Sequence, residues 1–264
     1  METMDRKLLA RFYTEKLVPT GTREVTDLAD IDAAFCNNIL RAFKGVVVSD
    51  ERRETAPFKA WLERQPSDQL IFGEFDDVPS FLRAFQSSQT GRSQETGTRN
   101  KIALPIINIS RTVDFSLYVG EITRDMPWCG TLVNSKGETY AVLSKTHAEI
   151  SYNVTIIASE RHTLSRMSTT FGSWLCMLAT HGVTNFQAKT KLADAEIILG
   201  AELTDPKGVV FSNVSIPQNE DRVYANQALI TVIADIMVAE GVASKPTQIN
   251  VMAGVTAGGH TYHG

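Results

Sequence analysis

Cysteine is scarce in this chain. Cys36, Cys129 and Cys176 are three in number and widely spaced, which fits neither a disulfide framework nor paired metal-binding knuckles and suits synthesis in a reducing cytoplasm. Long apolar runs are also missing: no stretch approaches the roughly 20 apolar residues of a membrane span. Met1 to Ala10 carries Glu2, Asp5, Arg6 and Lys7 in place of the apolar centre of a signal peptide. A soluble protein with no membrane partner is expected. Charge of one sign does not dominate either; a net charge of -4 and a pI near 5.8 supply no global field to hold nucleic acid.

The signatures of familiar chemistry are absent as well. The stretch Gly91 to Gly97 lacks the spacing and the lysine of a phosphate-binding loop. Ser173, in Phe171-Gly172-Ser173-Trp174, lies within a helical pattern and not on the strained strand-to-helix turn a nucleophile needs. His260 and His263 have HxxH spacing, but Gly258, Gly259 and Gly264 oppose the helix that would aim both rings at one metal. His147, His162 and His181 fall at element ends, where an imidazole bonds terminal backbone groups. Glu160-Arg161-His162 and Glu220-Asp221-Arg222 read as solvated turns. No catalytic residue, cofactor site or metal site is assigned, and an enzyme is not expected.

What is present is a series of strand-like runs. Ala148, Ile150, Tyr152, Val154, Ile156 and Ala158 alternate with polar residues at a period of two, the mark of a strand with one face on a core. Leu164, Met167, Phe171, Trp174, Leu175 and Leu178 then recur at helical spacing, with His181-Gly182 as the stop. Lys101 to Arg111 and Arg222 to Asp235 are further strands. So are Leu70 to Phe75, Phe186 to Leu192, Ile197 to Leu203, Val209 to Ile216 and Gln248 to Val255, and a short buried one over Val46 to Val48. Asn134 to Gly137 marks a hairpin tip and Asp205 to Gly208 a turn.

Toward the N-terminus helices prevail. Met4, Leu8, Leu9, Phe12 and Leu17 predict a first helix ending near Pro19-Thr20-Gly21. Asp27 caps a second through Ile31, Phe35, Ile39, Leu40 and Phe43. Ala56 to Arg64 has Pro57 in its first turn, and Val78 to Phe85 makes a short fourth. Gln86 to Asn100 is wholly polar and marks a linker. The expected fold is therefore α/β (α+β), a mixed twisted sheet packed with helices and preceded by a mostly helical N-terminal region. Its divisions are 1-86 (helical), 87-100 (linker) and 101-264 (sheet-rich).

The order of Leu104 to Arg111, an insertion over Ser116 to Ala141, the strand Glu149 to Ser159, the helix Leu164 to Leu178 and the late strand led by Asn219 to Tyr224 resembles the tail terminator or tail-completion proteins at the neck of long-tailed bacteriophages. The resemblance covers about Ile102 to Ala239 and is one of pattern. It implies a structural virion protein whose subunits form a ring, a hexamer, that ends the tail tube and joins it to the head-tail connector or collar, with the sheath as a further neighbour. DNA passes through the lumen without being read. The protein would reside in the virion after assembly in the host cytoplasm. Arg111, Glu149, Arg161, Asp221 and Arg222 are the candidate rim or interface charges, Arg111 through a phosphate or a neighbouring carboxylate. Other readings are a baseplate or tube-end component, a small hydrolase using His162 with Glu160 or Asp221, and a non-viral binding module.

Overall fold

Two long antiparallel strands carry the molecule, β5 (Thr139–Ala158) and β10 (Asp221–Val251), paired from Tyr224↔Ala158 to Gly241↔Ala141. They belong to a computed structural model that describes residues 10–49, 55–75, 77–92, 104–117, 126–218 and 221–251. Around them run β1 (Ala10–Val25), α1 (Ala29–Arg41), α2 (Ala56–Leu62), α3 (Pro66–Gln69), β2 (Leu70–Phe72), α4 (Val78–Arg92), β3 (Ile106–Leu117), β4 (Met126–Val133), α5 (Arg161–His181), β6 (Asn185–Leu192), β7 (Ala195–Leu203), β8 (Phe211–Asn213) and β9 (Ile216–Gln218). The protein is thus a mixed α/β fold in which a curled sheet dominates.

The sheet has the order β2-β3-β5-β10-β7-β6. β4 lies on β5, and β1, β8 and β9 lie on β10. Only β2 and β3 run parallel among the described pairs. The even-numbered residues of β5, from Ala148 to Ala158, face a layer formed by α1, α2 and α5, and Ile31, Phe35, Phe58, Trp61, Met167 and Phe171 are buried there. Successive strand residues point to opposite faces. Ile106, Ile157, Val223 and Ala225 therefore form a smaller core on the other face, beneath Val78, Phe81 and Leu82 of α4. Residues on both sides of the polar segment 87–100 share the larger core.

Local signals behave as their chemistry dictates. Gly182, in the left-handed conformation at φ 65°, caps α5, and its N–H reaches back to the carbonyls of Leu178 and Ala179. Gly137, at φ 80°, closes the β4–β5 hairpin at the expected tip, where Asn134 N–H donates to Glu138 O. Asp27 Oδ1 accepts from Ala29 N–H at the start of α1, and Pro57 occupies the first turn of α2.

The sequence expectations need correction in several places. Residues 10–25 do not continue the expected first helix; they form β1, whose backbone pairs with β10 from Ala10↔Val251 to Val25↔Val238. Thr14, Val18, Thr20, Thr22 and Val25 favour that choice, because β-branched residues suit a pleated strand. Val46 to Val48 forms no strand but an irregular connection. α4 runs on to Arg92 and takes in the start of the expected linker, of which residues 93–100 lie outside those described. The strands expected at Arg222 to Asp235 and Gln248 to Val255 are one strand, β10, as far as Val251. The insertion forms the end of β3, then β4, and so extends the sheet. Met4, Leu8 and Leu9, and the His260–His263 pair with the glycine-rich end, lie outside the described residues. Among the described residues no helix is long and apolar enough to cross a membrane.

Candidate assembly interface

β2 covers the outer side of β3 only over Leu70↔Ile107 to Phe72↔Ile109. From Ser110 onward, among the described residues, β3 pairs with β5 alone, through a bulge between Arg111 and Phe115. β4 continues the same edge further along β5, with a second bulge between Met126 and Gly130. Val113, Phe115, Leu117, Met126, Trp128 and Val133 are all exposed along this edge.

Trp128 is 70% exposed and sits in the second bulge at φ 62°. The left-handed region costs a residue with a Cβ about 1–2 kcal/mol. Its N–H finds Ser144 Oγ at 3.4 Å, and the Cys129 thiol points to Leu143 O at 3.4 Å. A strained, exposed tryptophan on an open strand edge is the kind of feature that persists at contact sites. An apolar edge left bare is an aggregation hazard, and bulges such as these two are one way a sheet blunts it.

The opposite side of the sheet has its own open edges, β1 outside β10 and β6 outside β7. β1 bulges between Pro19 and Arg23 around Gly21 at φ 84°. Beyond the bulge Arg23 pairs with Glu240, and Glu24 Oε2 accepts from Ala193 N–H at 2.7 Å. Tyr140 OH donates to Ala193 O at 2.9 Å, so the β6–β7 turn is fastened to both β1 and β5 and the sheet is held in its curl.

Two polar clusters fasten the layers. On the helix side Tyr152 OH donates to Asp32 Oδ1 at 2.7 Å, and Arg111 Nη1 lies 3.3 Å from Asp32 Oδ2. Burial holds the Asp32 carboxyl above its ordinary range, against the Tyr152 hydrogen bond and the Arg111 charge, which act the other way. Burial, and then the bond to Asp32, also raises Tyr152. On the opposite face His147 Nε2 lies 3.0 Å from Asp235 Oδ1, Asp235 Oδ2 accepts from Gly200 N–H at 3.0 Å, and Lys145 Nζ lies 3.6 Å from Asp235 Oδ1. These contacts tie β5, β10 and β7 together beside a shallow cleft of about 200 Å³ lined in part by Asn185, Gln187 and Glu202. Among the described residues no three His, Cys, Asp or Glu side chains gather as a metal would need.

The five sequence-predicted residues do not converge. Arg111, expected as an interface charge, reaches the carboxylate of Asp32 in its own chain. Glu149 stands half-buried on the opposite face of β5, paired in register with Ser116 and Ile233. Arg161 is exposed at the first turn of α5, just past the Tyr224↔Ala158 pair. Asp221 and Arg222 begin β10 at that same end, paired with Gln218 and Pro217 of β9; their side chains lie outside the description. Glu160 caps α5 with its backbone carbonyl, accepting from Leu164 N–H, and His162 is exposed. The apolar edge was missed from sequence. Its signal was Met126 to Val133, a strand-length run with no charged residue. No protein-family model and no curated protein matches this chain.

Proposed function

We propose that the chain is a structural subunit of a phage tail, one of a ring of six at the head-proximal end that terminates the tail tube and joins it to the connector. The observation that carries this reading is the exposed apolar edge of β3 and β4, with open edges on the opposite side of the same sheet. A subunit with open edges on opposite sides adds head to tail, and such contacts close into a ring when the rotation per subunit matches the symmetry. The order of strands and helix that resembles neck proteins supports a place at the head-proximal end. A chain of net charge -4 suits a lumen that lets DNA pass without gripping it. Arg161 and the backbone positions of Asp221 and Arg222 lie at one end of the sheet, where this reading puts the contact with a neighbouring ring, and Glu149 is a further contact. The work is mechanical and calls for no cofactor.

The test is the mass of the purified full chain by light scattering, with negative-stain images of the same fractions. Discrete rings with a central hole are expected. A strict monomer over a wide concentration range refutes the proposal. Antibody labelling of virions then fixes the position, since a signal at the far end of the tail would transfer the ring to the baseplate.

A further inference from the structure

Past the Gly241↔Ala141 pair β10 leaves β5 behind, and from Pro19↔Val242 to Ala10↔Val251 its partner among the described residues is β1 alone. The result is a two-stranded ribbon of ten register pairs, about 33 Å long at the rise of a strand. Two strands by themselves are marginally stable in water, and a third is needed for an independent sheet. The ribbon departs where β1 bulges over Gly241; a Cβ there would strike the Thr20 and Thr22 hydroxyls, which would have to move.

We infer that the ribbon of one copy lies along the β3–β4 edge of the next, with β1 adding to that edge as an extra strand. The inference rests on the ring reading and names its contact. Three observations favour a second copy as the occupant. The two elements lie on opposite sides of one sheet, so a single head-to-tail contact covers both in every subunit. The receiving strand, Met126 to Val133, contains no charged residue, and this suits main-chain pairing with a protein strand and not a phosphate backbone. The ribbon brings apolar residue types into register at Ala10↔Val251 and Phe12↔Ile249. β1 is the adding strand because it has no proline from Ala10 to Val18, whereas Pro246 removes a donor from β10. Main-chain bonds would then supply affinity, and the exposed Trp128 and Phe115 the apolar anchors.

The test uses full-length chain with a photo-cross-linking p-benzoylphenylalanine in place of Trp128, mixed with isotopically heavy, unsubstituted chain. Cross-links from position 128 to residues 10–19 or 242–251 of the heavy copy are expected in the ring fraction. The probe placed at Val113 guards against a local disturbance at the bulge. Exposed-site variants Trp128→Lys and Phe115→Lys should weaken association about tenfold or more with unchanged circular dichroism. Rings whose cross-links map elsewhere, or which persist in both lysine variants, overturn this contact and leave the ring standing. A chain that stays monomeric overturns both.

Discussion

Asp32 joins α1 to the sheet, and its removal has a calculable consequence. In Asp32→Ala the Tyr152 hydroxyl, on a fully buried residue, loses the acceptor 2.7 Å away, a loss of about 1–3 kcal/mol. The Arg111 guanidinium loses its partner at 3.3 Å; its side chain is 33% exposed though Nη1 itself is buried, and solvent screening of the exposed part holds that loss to about 1 kcal/mol or less. The sum is about 1–4 kcal/mol, read as a lower urea midpoint at unchanged slope. Asp32→Asn keeps an oxygen for the Tyr152 hydroxyl and removes the burial of a charge, so it should stay within about 1 kcal/mol of the parent. The two variants also differ in pH dependence. Burial raises the Asp32 carboxyl above its ordinary 3.8, so between that value and the raised one the folded state holds more proton than the unfolded state. Stability from this group is full below 3.8 and is lost as pH climbs through the raised value. Asp32→Asn abolishes that loss, and its stability relative to the parent should rise with pH across the window. An Asp32→Ala variant as stable as the parent, or a difference between Asn and Asp that stays flat with pH, refutes the reasoning.

Two further predictions concern other parts of the fold. Cys36 is half-buried with its pKa pushed up to about 12, by burial first and the Asp32 carboxylate second; it should resist iodoacetamide near pH 8 while the exposed Cys129 and Cys176 alkylate, as peptide mass spectrometry will show. Gly241→Ala places a methyl group against Thr20 and Thr22 and should cost about 1–3 kcal/mol. The loss should appear as faster amide exchange in β1, and unchanged protection there would contradict the assigned crossing.

Elements that bury their own periodic pattern were legible along the chain. β5 alternates and lies with its even residues on the core, α5 carries its apolar stripe to a glycine cap, and the β4–β5 tip falls at Asn134 to Gly137. β1 was not legible, because Phe12 and Leu17 also fit a helical spacing. The strand is decided by backbone bonds to β10, more than 200 residues away, as in Arg23 to Glu240 at a separation of 217. The Asp32–Tyr152 bond likewise joins residues 120 apart. Sequence by itself determined which segments alternate, where helices and turns stop, and that charge and cysteine follow no catalytic or disulfide pattern, since each depends on neighbours within one or two turns. Only the tertiary structure decided that β10 is one long strand, that β1 flanks it, and which apolar residues are left outside. An edge is a property of the finished sheet: at Trp128 and Phe115 no described strand lies beyond theirs, β2 reaching only Ile109 of β3.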